Sequence, residues 1–182
     1  MFEQINESLK HKPSLYGNYG TRNSFISNYK SDVKTIKLGV TFNKQFTLAI
    51  GYNWLDTKFE SKINKIDTEL RLRYISPFME YSFLEKNDIE VTIPVYLGFG
   101  TSFYESKTKQ KLNQQFIVLY EPSMTVTYRL LRYIGLSAGV GYRLLLVGNK
   151  KINQNLNAPT YSLGVNLFFG TIYRDIKPYL FK

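Results

Sequence analysis

The sequence predicts an all-β fold, an eight-stranded antiparallel up-and-down transmembrane β-barrel. Three observations carry this. Residues alternate with period two in about eight segments, many of them ten or more residues long, beyond the usual five or six of globular sheets and close to the roughly 9–11 that cross a bilayer. Short connections alternate with longer polar ones. One face of each strand is large and apolar, and the other is rich in Gly, Ser, Thr and Asn.

The elements follow in chain order. A weak strand spans about Ser14–Ser24. Next, Ile36, Leu38, Val40 and Phe42 alternate with Thr35, Lys37, Gly39 and Thr41. After a turn at Asn43–Lys44, Phe46, Leu48, Ile50, Tyr52 and Trp54 alternate with Thr47, Ala49, Gly51 and Asn53. Residues 68–84 require a change of phase. Leu70, Leu72 and Tyr74 share a face opposite Arg71 and Arg73, whereas beyond Ile75 the apolar set is Pro77, Met79, Tyr81 and Phe83. A β-bulge near Tyr74–Ser76 accounts for the slip, since one extra residue reverses the phase.

Val91, Ile93, Val95, Leu97 and Phe99 then alternate with Glu90, Thr92, Pro94, Tyr96, Gly98 and Gly100. Phe116–Tyr128 and Ile134–Leu144 form two more strands. Their small or polar positions include Glu121, Ser123, Thr125 and Thr127, and Gly135, Ser137, Gly139, Gly141 and Arg143. On a helix the apolar residues of 134–144 would be scattered round the circumference, so the segment is a strand. Tyr161–Phe169 closes the series. Short turns fall near 43–45, 85–88 and 129–132, and longer polar connections at 24–33, 56–68, 104–115 and 147–159. That asymmetry marks membrane barrels with short periplasmic turns and longer outer loops, and an even strand number places both termini on the periplasmic side. The expected organisation is an N-terminal periplasmic segment (1–13), the barrel (14–175) and a C-terminal periplasmic tail (176–182). Phe2–Lys12 reads as a short helix or a linker.

Composition agrees. The chain has 182 residues, a net charge of +10 and 16% aromatic residues, with 15 Tyr and 13 Phe against one Trp. Amphipathic rings suit a membrane interface, and Phe42, Phe46, Trp54 and Tyr128 are the candidate interface aromatics. No apolar run approaches the roughly 20 residues of a membrane helix. MFEQINESLK lacks the basic start and apolar core of a signal peptide, so the chain is either not exported or a mature form. There is no cysteine, which excludes a disulfide scaffold and thiolate chemistry.

Alternation alone does not say which face meets water. A soluble lipid-binding barrel would turn its large apolar residues inward. Here the polar face is made of small residues and carries few long charged ones, as the narrow lumen of an eight-stranded barrel requires. Arg22, Lys37, Arg71, Arg73, Glu80, Glu90, Glu121 and Arg143 then project inward. They are expected to form a lumen salt-bridge network, because a lone buried charge is costly and a paired one is tolerated. The network either plugs the barrel or gates a narrow ion or small-solute channel.

GTRNSF (Gly20–Phe25), KLGVTFNKQFTLAIGYN (Lys37–Asn53), YISPFMEYSF (Tyr74–Phe83), EPSMTVTYRLLRYIGLSAGVGYRLLL (Glu121–Leu146) and YSLGVNLFFG (Tyr161–Gly170) resemble the small outer-membrane β-barrel proteins of the Bacteroidetes group. In architecture these are related to the OmpA and OmpX barrels. The resemblance covers most of the chain after about residue 13 and implies a cell outer-membrane location and an export signal. It implies no set chemistry.

Catalytic, cofactor and metal sites are not expected. His11 is the only histidine and precedes the first strand, so a Ser–His–Asp triad or a histidine metal site inside the barrel cannot be built. GVGYR and GFGTS lack the following helix that phosphate binding needs. Lys58, Lys62, Lys65, Lys107, Lys109, Lys111, Lys150 and Lys151 form a basic loop cluster. Beside a membrane such lysines face anionic headgroups, so membrane lipids and lipopolysaccharide are the expected partners. Nucleic acid is not, since no basic helix or aromatic platform accompanies the lysines. The function implied is a structural or interaction protein, an accessory subunit of a larger envelope complex.

Overall fold

The computed structural model describes residues 2–26, 29–63, 66–148 and 156–180. The elements are α1 (Phe2–Leu9), β1 (Ser14–Ile26), β2 (Tyr29–Phe42), β3 (Phe46–Leu55), β4 (Glu60–Ile63), β5 (Ile66–Lys86), β6 (Ile89–Ser106), β7 (Lys111–Arg129), β8 (Ile134–Val147), β9 (Ala158–Leu167) and α2 (Phe169–Leu180). Each strand pairs antiparallel with the next in sequence except β3, which skips β4 and pairs with β5, and β1 pairs with β9. The ring is therefore closed by eight strands. The short β4 only extends a hairpin with the start of β5. Closure leaves no sheet edge in the ring, so the backbone of the wall is satisfied within the wall.

The turns at one end are tight. Gln45 N donates to Phe42 O at 3.0 Å, and Asn43 and Lys44 take φ of 47° and 56°, a left-handed pair within the three-residue loop between Phe42 and Phe46. At the other end, the connections expected at 24–33, 56–68 and 104–115 are largely strand. β1 and β2 stay paired to Ile26↔Tyr29, and β6 and β7 to Glu105↔Lys111. The hairpins thus rise as a continuous collar above the middle of the barrel.

Strand β5 corrects the sequence reading. It has no bulge near Tyr74–Ser76, and its register shift lies at Ser82/Leu84 against β6. Leu70, Leu72, Tyr74, Ser76, Phe78 and Ser82 are all buried, in one unbroken inward phase. The chemistry of the faces changes, not the phase. In the collar the inside is apolar and the outside carries Glu69, Arg71 and Arg73. Beyond Ile75 the inside turns polar and the outside becomes Ile75, Pro77, Met79, Tyr81 and Phe83. Three other strands do the same. β2 changes between Val33 and Thr35 on its inner face, β3 between Leu55 and Asn53, and β7 between Leu119 and Glu121. Arg73 therefore lies on the outer surface and not in the lumen. Arg71 sits at the rim, bonded to Glu69 and Glu105 at 2.8 and 2.9 Å.

The collar encloses a dry core of Val33, Leu55, Leu70, Leu72, Tyr74, Tyr104, Ile117, Leu119 and Leu156. Each such side chain contributes about 1.5–3 kcal/mol by leaving water. Below it the outer wall is apolar and open, from 38% exposed at Leu144 to 66% at Leu15 and Val140. On β5 this belt runs from Ile75 to Phe83, about 27 Å along a strand and about 21 Å of height at a tilt of about 40°.

Two terminal helices flank the tight-turn end. In α1, Ser8 Oγ donates to Gln45 Oε1 at 3.0 Å, and α1 contacts β3. Phe46, expected as an exposed interface ring, is buried at this corner. The barrel ends at Leu167, earlier than the expected 175, because Phe169–Leu180 folds as α2.

Candidate functional site

The site is the charged layer inside the barrel, directly under the collar core. Alternation aims Arg22 (β1), Lys37 (β2), Glu80 (β5), Glu121 (β7) and Arg143 (β8) at the axis from five strands. Glu121 lies at the centre. Its Oε1 accepts from Arg143 Nε and its Oε2 from Arg22 Nη1. The three side chains are 3%, 0% and 6% exposed respectively. Arg22 Nη1 also reaches Tyr74 Oη at 3.4 Å, and its guanidinium lies 4.6 Å from the centre of the Tyr96 ring. Nη1 and Nη2 of Arg143 are buried without a hydrogen-bond partner.

Lys37 joins the layer through Tyr96. Its Nζ donates to Tyr96 Oη at 3.0 Å and lies 5.4 Å from the Phe78 ring. Phe78 and Tyr96 pack with their rings 4.7 Å apart, and Tyr16 meets Phe78 edge-on. Faces of aromatic rings attract cations most strongly when water is excluded. These rings thus share with Glu121 the task of holding two buried guanidiniums and the half-buried Lys37 ammonium. The sequence reading did not select Tyr74, Phe78 or Tyr96. Tyr74 lies in the part of the strand where the expected bulge reverses the phase, while Phe78 and Tyr96 fall on the inner face as large rings among small residues, with no pattern that marks them as cation partners.

Glu80 lines the same small cavity as Arg22, Lys37 and Tyr96. The remaining expected members sit apart. Glu90 lies nearer the tight-turn end, opposite Glu85 in the register and beside a cleft that Arg129 also lines. Arg71 and Arg73 belong to the collar's outer surface. The cavity has a volume of about 30 Å³, about that of one water molecule.

Small residues set the bore. A Cβ on Gly98 would lie 2.8 Å from the Tyr74 ring, and one on Gly139 would lie 2.7 Å from Thr125 Oγ1. At the tight-turn mouth, Asn18 bonds Asn166, which donates to Thr127 Oγ1 at 3.1 Å. Phe168 fills the space beside Gly135 and carries the Arg129 guanidinium 4.5 Å above its ring. The lumen is therefore filled in three layers: an apolar collar, a charged middle and a polar, ring-capped mouth.

Of the other expected positions, Tyr128 is exposed, while Phe42 and Trp54 are half-buried, with Trp54 stacked 5.8 Å from Tyr52. Among the loop lysines, Lys58 and Lys109 are exposed. Lys107 bonds Asp67 at 3.0 Å, and that bond raises its ammonium above the usual lysine range. Lys111 lies over Phe103. Lys65, Lys150 and Lys151 lie outside the described residues, as does the side chain of Lys62. Lys107, Lys109 and Arg71 face Glu60, Asp67, Glu69 and Glu105 round a rim cavity of about 340 Å³. His11 is exposed beyond α1, and among the described residues no carboxylate or histidine group could hold a metal ion.

No family model and no curated protein matches the chain. Solved structures do. Neisserial surface protein A is 17% identical, with a TM-score of 0.65 over 86% of this chain and 97% of that one. The outer membrane protein OprG of Pseudomonas aeruginosa is 9% identical, with a TM-score of 0.59 over 86% and 96%. The attachment invasion locus protein Ail of Yersinia pestis, solved with the heparin analogue sucrose octasulfate, is 13% identical, with a TM-score of 0.54 over 85% and 96%. At these identities the likeness is one of fold, and all three share the barrel described above.

Proposed function

We propose that the protein is an integral outer-membrane barrel with its lumen filled by its own side chains. It acts as a structural or interaction protein, an accessory subunit of a larger envelope complex. The observation that carries this reading is the pairing of an open apolar wall with a filled interior. So large a continuous apolar surface is stable only against hydrocarbon or protein. A lumen with room for about one water offers no solute path. The wall and the collar are then the surfaces left for partners. The termini and tight turns are periplasmic and the collar faces outward, in keeping with the usual short-turn and long-loop asymmetry. The sequence resemblance supports a Bacteroidetes envelope as its home.

The exposed lysines of the collar support contact with the phosphates of lipopolysaccharide or with sulfated glycans. The sulfated ligand of the structurally similar Ail favours the same chemistry. No reaction is assigned: the charged layer is read as ion pairs that fill the barrel.

The reading is tested by extracting the native envelope in mild detergent. Co-elution with a protein partner at fixed stoichiometry through two unlike separations is expected. Elution of the folded barrel alone would overturn the accessory role. The second reading, a narrow channel, draws on the cavity lined by Arg22, Lys37 and Glu80. Planar bilayers separate the two. The filled lumen stays silent, whereas steady ion-selective openings abolished by Glu121→Gln would establish the channel. Monodisperse folding in buffer without detergent would instead support a soluble lipid-binding barrel.

A further inference from the structure

We infer that α2 is an interfacial anchor, lying in the plane of the leaflet at the tight-turn end with its apolar side in the lipid. This rests on the membrane reading of the barrel and adds a second lipid contact to it.

The helix is amphipathic. Its first turn meets β1 through Phe169, but beyond that turn it is the polar Asp175 that reaches the barrel. Asp175 accepts from Arg132 Nη2 at 2.8 Å and from Tyr133 Oη at 3.0 Å, both in the connection between β7 and β8. Tyr173 and Ile176, about 160° and 100° round the helix from Asp175 by the 3.6-residue turn, are therefore directed away from that contact. They are 57% and 45% exposed. A helix laid along the wall by its whole apolar stripe would bury these two residues as it buries the wall beside Phe169. The ion pair and the hydrogen bond instead hold the Asp175 side to the barrel beyond the first turn, and Tyr173 and Ile176 stay open.

The first turn is fixed as well. Phe168 N donates to Tyr133 O at 3.0 Å, and the Phe169 ring packs against Gly17 on β1. The helix leaves the wall held at both ends of this short stretch.

Lipid is the occupant because the apolar surface is continuous. Leu130 and Leu131, in the connection that receives Asp175, are 53% and 59% exposed. On the wall leading to it, Leu136 on β8 and Val165 and Leu167 on β9 are also open. Tyr173 and Ile176 extend that belt past the last strand, at the height where the wall ends. The exposed Arg132 beside them suits an anionic headgroup. A helix with this pattern binds the boundary between headgroups and acyl chains.

The test uses tryptophan fluorescence of the full chain in vesicles of phosphatidylcholine with brominated acyl chains. Single tryptophans are placed in a Trp54→Phe background. Ile50→Trp, on the open wall opposite Pro77, reports on the barrel wall, and Ile176→Trp and, separately, Tyr173→Trp report on α2. Quenching of the α2 tryptophans within about twofold of that at position 50, with weak quenching by aqueous iodide, is expected. Strong iodide quenching at 173 and 176 while position 50 stays lipid-quenched overturns the anchor and leaves the barrel reading intact. Protection from both quenchers also overturns it, because protein then covers the helix. Loss of lipid quenching at position 50 itself would show that the barrel reading has failed.

Discussion

Removing Glu121 is expected to be far more costly than removing either cation it holds. Glu121→Ala leaves Arg22 and Arg143 in a layer where their side chains are 6% and 0% exposed. Breaking one buried ion pair by deleting a partner costs about 3–5 kcal/mol. Two guanidiniums lose their anion together here, and Lys37 adds a third positive charge close by, so a loss of about 4–5 kcal/mol is expected. Arg143→Met is different. It removes two guanidinium nitrogens that have no partner and leaves a one-to-one Arg22–Glu121 pair of nearly unchanged volume. Because Glu121 keeps Arg22 as its counter-ion, no uncompensated buried charge is left, so about 1–2 kcal/mol is expected, roughly the lost charged hydrogen bond. The assay is reversible urea unfolding in lipid vesicles, followed by Trp54 fluorescence and completed as a double-mutant cycle. The double variant still leaves Arg22 buried without its anion, so it should recover only part of the stability lost in Glu121→Ala. Equal losses from Glu121→Ala and Arg143→Met would refute the claim that one carboxylate neutralises two arginines.

Other perturbations probe other layers. Leu72→Ala empties part of the collar core and should cost about 2–5 kcal/mol, whereas the adjacent Arg73→Ala on the outer surface should change stability by less than about 0.5 kcal/mol. The same urea titration decides, and the reverse order would restore the bulged reading of β5. Met79→Lys, on the open wall below the collar, should cost about 2–4 kcal/mol in vesicles. An unchanged midpoint would mean that this face meets water. Gly98→Ala places a Cβ 2.8 Å from the buried Tyr74 ring. Overpacking of that kind costs about 1–3 kcal/mol, and an unfolding midpoint at or above that of the parent would show that the lumen has slack.

Much of the fold is legible in the sequence because a barrel wall imposes period two on every strand. The eight strands, their order and the tight turns follow from it. What misleads is the assumption that one face keeps one chemistry from end to end. Leu70, Leu72 and Tyr74 look like wall residues because they are large and apolar. They are interior because the collar stands clear of the apolar belt, where apolar side chains turn inward and Glu69, Arg71 and Arg73 turn out. The Glu121 cluster was accessible from the sequence because its members lie in the middle of strands, where the small face is the lumen. Glu90 sits near a strand end and finds no cation there as close as Glu121 does. Phe46 was hidden for another reason: α1 folds back onto the β2–β3 turn, a tertiary contact that local pattern does not encode.

The central claim is that β5 keeps one phase while its two faces exchange their chemistry at about Ile75, with hydrocarbon outside below that point. The chain has no cysteine, so single cysteines can be placed one by one from Glu69 to Phe83 and spin-labelled in vesicles. Accessibility to oxygen, which concentrates in lipid, and to a water-soluble nickel chelate is the measurement. The account predicts oxygen access at 75, 77, 79, 81 and 83, chelate access at 69, 71 and 73, and shielding from both at the even positions throughout. Chelate access at 75–83, or a change of parity in the shielded set near residue 75, would contradict it.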